Sequence, residues 1–160
     1  MFIFLRSNDY LWDVNNQLII ASMKRKGSKV ECADERIAEL LRLYRERIRN
    51  CKRISNDDIL AEVVELPCHR FWVSEKRAFV VISAMFQGKN VLTKMRKPKQ
   101  EMYTEIYNRA RIIKQANPSL SLLEICEEVI YQPAPKIYLS PGSAKIMIYK
   151  YLQDKRKCRA

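Results

Sequence analysis

The chain has 160 residues, of which 48% are hydrophobic, and a formal net charge of +12 at pH 7. This length suits one domain or two small ones, and three glycines leave little room for a fold rich in hairpins. No apolar run reaches the length of a membrane-spanning helix, and the five cysteines contain no Cys-x-x-Cys pair. These features disfavour a membrane protein and a zinc finger.

The first 32 residues are interpreted as an N-terminal arm, 1–32. Residues 1–5 look briefly like a signal sequence, but charged residues soon interrupt the apolar stretch and no small-residue cleavage site follows. Met23 is a candidate true start, which leaves open whether residues 1–22 belong to the native protein. The odd number of cysteines fits reduced thiols, so we expect a cytoplasmic protein.

Much of the chain matches itself after a shift of 66 residues. Residues 37–86 align with residues 103–152 without a gap, and the apolar patterns of the two stretches coincide. The identical pairs are Glu39/Glu105, Arg45/Arg111, Ser55/Ser121, Ile59/Ile125, Glu62/Glu128, Val63/Val129, Pro67/Pro133, Ser74/Ser140, Ala78/Ala144 and Ile82/Ile148. Chance rarely produces ten identities in fifty positions, so the pattern predicts a tandem duplication.

Each copy is expected to hold three helices, because apolar residues recur at spacings of three and four. The candidate N-caps are Ser55 and Ser121 for the second helices, and Ser74 and Ser140 for the third helices. Pro67 and Pro133 are expected to end the second helices. The third helices carry apolar residues on both faces, which indicates burial on two sides and a role in joining the copies.

The predicted fold is therefore all-α, with two tandem three-helix, helix-turn-helix-like repeats related by a 66-residue shift. A unit of this size is only marginally stable alone, so the copies are expected to share a core or an interface. After the arm, the predicted boundaries are a first module at 33–88, a basic linker at 89–97, a second module at 98–153 and a basic tail at 154–160.

Positive charge is concentrated in the last part of the chain. Residues 91–160 hold fourteen basic and six acidic residues, whereas residues 33–90 hold eleven and nine. This balance favours a polyanionic partner, most often nucleic acid, over a basic protein that has no such partner. The cations expected to contact phosphates are those of the tail together with Lys89, Lys94, Arg96, Lys97, Lys99, Lys136, Lys145 and Lys150. A solvated linker and a frayed terminus are the alternative interpretation of the linker and tail.

The connection between the second and third helices places a base near a large aromatic residue in each copy. Arg70 precedes Trp72 by two residues, and Lys136 precedes Tyr138 by two. Such a basic side chain can bind a phosphate while the aromatic ring stacks on a nucleobase. This interpretation would put the four residues nearest the nucleobases. The alternative is that the aromatic rings fill the core and the side chains of Arg70 and Lys136 lie at the surface.

Each copy resembles helix-turn-helix DNA-binding proteins, because it has three short helices, a second helix capped by serine and basic residues after that helix. The resemblance implies binding of double-stranded DNA by a regulator or an accessory protein of a mobile element. A helix-turn-helix has a turn of three or four residues before its recognition helix, so it also implies a short reading helix at residues 68–72. The stretch from Pro133 to Ser140 looks like small uncharacterised bacterial proteins, some of them in mobile elements.

A second function remains open, a structural or protein-interaction module of a phage or mobile element that uses an apolar helix face. No catalytic constellation is evident. His69 is the single histidine, and Cys68 beside it cannot form a dyad by adjacency. We therefore expect no enzyme activity, no metal, no cofactor and no membrane partner.

Overall fold

The computed structural model describes residues 28–52 and 55–158, with side chains from Ala33 onward. Within these residues the chain forms helices and no β-strand, which confirms the all-α class. The helices are α1 (Ser28–Asn50), α2 (Asn56–Val64), α3 (Glu75–Phe86), α4 (Lys97–Ala116), α5 (Leu122–Ile130) and α6 (Pro141–Lys157). The question of the first 22 residues lies outside the described part. Helix α1 begins inside the expected arm, and α6 continues into the expected tail.

Serine caps define the starts of α3, α5 and α6. The side chains of Ser74, Ser121 and Ser140 each accept a hydrogen bond from the backbone N–H three residues later. Ser121 also forms a complete capping box with Glu124, which satisfies two backbone donors at once. Ser55 caps α2 in an extended conformation but makes no side-chain hydrogen bond to the helix.

The ends of α2 and α5 differ from expectation. Val64 and Ile130 are their last residues, so both helices stop before Pro67 and Pro133. The ten-residue connections that follow, 65–74 and 131–140, contain no helix. The short reading helix expected at residues 68–72 is therefore absent, because the backbone there is hydrogen-bonded across to the other connection.

The two connections cross each other in a short antiparallel contact. Cys68 and Ala134 each donate their backbone N–H to the other's carbonyl oxygen at 3.0 Å. The flanking bonds run from Phe71 N to Ile130 O at 3.0 Å and from Ile137 N to Val64 O at 3.3 Å. When both residues of a bond are exchanged for their counterparts 66 positions away, the result is another bond of the same set. The crossing therefore has approximate two-fold symmetry.

This crossing exchanges the third helices between the two halves of the chain. Helix α3 packs against α4 and α5, whereas α6 packs against α1 and α2. The third helices thus join the halves, as expected, but they are not buried on both sides. Val80 on α3 is 49% exposed and Ile146 on α6 is 69% exposed, because each helix packs only on one helix pair and leaves its other face to solvent.

The core is centred where the connections cross. Phe71 and Ile137 are fully buried there, and Cys126 of α5 is buried as well. The ring of Tyr138 stacks on that of Phe71 with centroids 5.9 Å apart. Tyr138 has a φ of 53°, a left-handed conformation that is uncommon for a residue with a bulky side chain. This backbone conformation accompanies the burial of its ring.

Candidate nucleic-acid interface

Lys136, one of the four residues expected nearest the bases, is held by two carboxylates. Its Nζ lies 2.6 Å from Glu101 Oε2 on α4 and 3.3 Å from Glu65 Oε2 at the end of α2. The hydrogen bond to Glu101 is the main reason that the pKa of Lys136 is raised above its ordinary value. Lys136 therefore ties the start of α4 to the other half of the chain, and its charge is already compensated.

Arg70 has the corresponding place in the first half. Its guanidinium lies 3.8 Å from the carboxylate of Glu35 on α1 and 4.2 Å from the ring centroid of Tyr131, where it makes a cation–π contact. After the 66-residue shift, Glu35 corresponds to Glu101 and Tyr131 corresponds to Glu65, the two residues that hold Lys136. The side chain of Arg70 is only 14% exposed, so it too is bound within the protein.

The aromatic residues of the connections contribute to the core to different degrees. Tyr138 is buried, and burial raises the pKa of its hydroxyl to about 12. Trp72 is half-buried and packs against the core, with Arg70 5.7 Å from its ring centroid. Of the two interpretations kept open from sequence, the core role fits Tyr138, since its ring has no free face for a nucleobase.

The cations outside the connections are in a different state. Lys89, Lys94, Arg96, Lys97, Lys99 and Lys150 are exposed. None of the six has a carboxylate within 4 Å in the part of the chain that the structure describes. Lys145 differs, because its Nζ lies 2.8 Å from Asp57 Oδ1. Four of these six cations lie between Lys94 and Lys99, just before and within the first turn of α4.

The start of α4 adds to this positive region. Its first turn contains no acidic residue, and the backbone N–H groups at a helix N-terminus carry partial positive charge. The basic stretch is therefore not neutralised by its own helix. An anion that approaches this stretch would meet positively charged side chains and backbone N–H groups that carry partial positive charge.

Sequence reasoning missed two further cations, Lys76 and Arg77, which lie exposed in the first turn of α3. Burial raises the pKa of Tyr103 on α4, and the nearby Arg77 guanidinium partly counteracts this shift. Tyr103 lies one helical turn beyond Lys99, so the starts of α3 and α4 are neighbours. The signal was the basic pair Lys76 and Arg77 two residues after the capping serine, but the exchange of α3 onto the second half could not be anticipated.

His69 and Cys68 do not form a catalytic pair. The Nδ1 atom of His69 lies 2.8 Å from Oε1 of Glu39, a buried carboxylate that also accepts a hydrogen bond from Arg42 at 3.0 Å. The Cys68 thiol instead donates to two backbone carbonyl oxygens of the crossing connections. Burial raises its pKa to about 11, so the thiolate is disfavoured.

An open cleft of about 440 Å³ lies beside α4. The residues that line it are Lys97, Gln100, Glu101, Thr104, Glu105, Lys136 and Tyr138. Most of its charges are paired internally: Glu105 accepts from Arg109 at 2.8 Å, and Glu101 binds Lys136. Lys97 is the lining cation that these ion pairs leave available, so the cleft extends the basic surface more than it forms a separate site.

Two other kinds of site receive no support among the described residues. No group of three or more His, Cys, Asp or Glu side chains is arranged to hold a metal ion there. No helix in the same residues is long and apolar enough to cross a membrane.

No family model, curated protein or solved structure matches the chain.

Proposed function

We propose that the protein binds nucleic acid, with double-stranded DNA as its partner, and that it has no catalytic activity. One observation carries the proposal. The exposed cations before and within the first turn of α4 have no carboxylate partners among the residues that the structure describes, whereas the cations of the connections do. Charges that are neither buried nor paired are the ones available to phosphates.

The physical basis is the release of counterions. Duplex DNA carries about one negative charge per 1.7 Å of its axis, and each cation that neutralises a phosphate releases condensed counterions. Six consecutive residues contain Lys94, Arg96, Lys97 and Lys99. Arg77 interacts with Tyr103, which lies one helical turn after Lys99, so Arg77 is close to the same region. Such phosphate contacts give affinity without sequence preference.

The two-module organisation belongs to the same proposal. The crossing of the connections at Cys68 and Ala134 and the equal placement of capped helices support two three-helix modules that exchange their third helices. Under this proposal Arg70, Lys136 and Tyr138 maintain the crossing and do not read bases. A role as a regulator or as an accessory protein of a mobile element rests only on the resemblance to helix-turn-helix proteins.

A matched pair of triple variants tests the proposal. Lys94→Gln, Arg96→Gln and Lys99→Gln together remove three unpaired cations from the start of α4. Arg45→Gln, Arg49→Gln and Lys52→Gln remove three exposed cations from α1 and its end, which also lack carboxylate partners among the described side chains. Both variants change the net charge by the same amount, so they separate a local surface from overall charge.

Fluorescence anisotropy with a random-sequence duplex at low salt is the measurement. The α4 variant is expected to bind about tenfold or more weakly, and the α1 variant within about threefold of the parent. Circular dichroism checks that both variants remain folded. Equal losses in the two variants would show that only net charge matters, and the absence of any binding by the parent would exclude the proposed function.

The second candidate is a protein-interaction module, which is favoured by exposed apolar side chains on the third helices. Ile146 is 69% exposed, and Val80 and Tyr149 are exposed as well. If the parent protein shows no affinity for DNA or RNA at low salt, this candidate replaces the first. Affinity for nucleic acid that depends on the α4 cations would exclude it as the main function.

A further inference from the structure

The starts of α3 and α4 come from different halves of the chain and meet in the folded protein. Helix α3 belongs to the first half by sequence but packs on α4 and α5 of the second half. Burial raises the pKa of Tyr103 on α4, and the Arg77 guanidinium partly lowers it again, by its charge and by a hydrogen bond. At the other end of α3, the ring centroid of Phe86 lies 4.9 Å from that of Tyr107. The exchange of α3 therefore fixes Arg77 beside the first turns of α4.

The cations at these two starts have no carboxylate partners. Lys76 and Arg77 are exposed, and neither lies within 4 Å of a carboxylate in the part of the chain that the structure describes. The acid beside them, Glu75, instead accepts a hydrogen bond from the Tyr131 hydroxyl at 2.7 Å. The cations at the start of α4 are exposed and unpaired in the same way. The six cations at the two starts are Lys76, Arg77, Lys94, Arg96, Lys97 and Lys99.

The other half of the chain provides an internal comparison. Helix α6 packs on α1 and α2 as α3 packs on α4 and α5, so the same arrangement of helices occurs twice. The positions 66 residues away from the six cations hold no basic residue. They are Gly142, Ser143, Ser28, Val30, Glu31 and Ala33. Because the helices pack in the same way without these charges, the packing does not require the six cations, and another role explains their presence at one end of the molecule.

We infer that the nucleic-acid-binding surface is composite: Lys76 and Arg77 of the first half bind phosphates together with the α4 cations of the second half, and the chain binds through this one end. The inference rests on the proposed function. The surface is complete only when α3 is seated on α4 and α5, since two of its six cations belong to α3. A duplex that contacts both helix starts therefore holds α3 in its exchanged position, because a ligand that binds only the assembled arrangement stabilises that arrangement.

Attraction by overall charge alone predicts a different result. The chain has a formal net charge of +12, and in that case two cations would contribute equally at either end of the molecule. Moving the basic pair from the start of α3 to the start of α6 separates the two cases. The start of α6 can accept the pair, because a Cβ added at Gly142 meets no atom within 4 Å and Ser143 follows it in the first turn.

Fluorescence anisotropy with a random-sequence DNA duplex over a range of salt concentrations tests the inference. The double variant Lys76→Gln with Arg77→Gln should bind about tenfold more weakly at low salt and flatten the salt slope by about 2, because two phosphate contacts are lost. Lys76→Gln alone, which leaves the interaction of Arg77 with Tyr103 intact, should flatten the slope by about 1. Adding Gly142→Lys and Ser143→Arg to the double variant restores the net charge, but should leave its affinity within about twofold of the double variant. Circular dichroism checks that all variants are folded.

Hydrogen exchange of the full chain, with and without saturating duplex, reports on α3 directly. The duplex should slow the exchange of backbone amides in α3 and at the start of α4, and should leave α6 unchanged. The inference is overturned if the double variant binds within about twofold of the parent, if the relocated pair restores the parent's affinity, or if the duplex protects α6 as much as α3. A parent that binds no duplex at low salt overturns the proposed function, and the inference with it.

Discussion

Cys68 and Ala134, which lie 66 positions apart, donate their backbone N–H groups to each other's carbonyl oxygens at 3.0 Å. The contact places the two connections antiparallel and sends α3 to the second half of the chain and α6 to the first. Because each third helix completes the packing of the opposite half, neither half holds all of its own core partners. The chain is thus expected to unfold as one cooperative unit.

Phe71 is expected to be the most sensitive position near this crossing. It is fully buried and stacked against Tyr138, so Phe71→Ala should lower the free energy of unfolding by about 3–5 kcal/mol. Trp72 is only half-buried, and Trp72→Ala should cost less. Urea denaturation of both variants measures the difference. A larger loss for Trp72 than for Phe71 would contradict this description of the core.

Sequence patterns identified which residues are buried but not what they pack against. Ala78 and Ile82 are four residues apart and therefore lie on one face of α3, and both are buried. The same spacing is compatible with packing on α1 and α2 or on α4 and α5, since apolar contact has no directional specificity. The exchange depends on the backbone bonds between the connections, which no side-chain pattern reports.

The cap of α5 is expected to be stronger than that of α2. Ser121 accepts from a backbone N–H and belongs to a capping box, whereas Ser55 makes no side-chain hydrogen bond to its helix. Ser121→Ala should therefore cost about 1 kcal/mol, and Ser55→Ala clearly less. Thermal unfolding of the two variants under the same conditions gives the comparison. Equal losses would mean that both serines contribute only through backbone conformation.

This cap also predicts a dependence on acid. Hydrogen bonds from the Ser121 hydroxyl and backbone N–H lower the pKa of Glu124 below its ordinary value. The stabilisation is then fully present above that ordinary pKa and is lost as the pH falls through the lowered pKa. The difference in stability between the parent and Ser121→Ala should therefore narrow in acid, as measured by urea denaturation. A constant difference would exclude the linkage.

Lys136 is expected to act mainly on stability. Lys136→Gln removes ion pairs with Glu101 and Glu65 and should cost about 1 kcal/mol or less, because these groups remain partly exposed to solvent. Glu101→Gln should behave similarly, and the double variant should cost less than the two single changes added. Binding to random duplex should fall by no more than about twofold. A tenfold loss would instead assign Lys136 to a phosphate, as its sequence context suggested.

The buried thiols predict a loss of stability in alkali. Burial raises the pKa of Cys126 from the ordinary 9.0 to about 11. A raised pKa means that the stabilisation is fully present below pH 9.0 and is lost as the pH rises towards about 11. Cys126→Ala should therefore lose less stability across this range than the parent. Cys158→Ala, which removes an exposed thiol, should keep the parent's dependence and serves as the control.

The pairing of the candidate phosphate-binding cations was anticipated less completely than the all-α fold. Basic composition pointed to Lys94, Arg96 and Lys99, and these are exposed and unpaired within the described chain. It pointed equally to Arg70 and Lys136, which are paired. A count of charge cannot distinguish the two states, because pairing depends on carboxylates such as Glu101 that only the tertiary fold brings close.

The salt dependence of DNA binding tests the central claim most directly. The logarithm of the association constant should fall linearly with the logarithm of the salt concentration, with a slope of about −0.9 for each phosphate contact. If Lys94, Arg96 and Lys99 all contact phosphates, replacing the three by Gln should flatten that slope by about 2–3. The account predicts this flattening on random duplex, and an unchanged slope or a parent protein with no measurable affinity at low salt would contradict it.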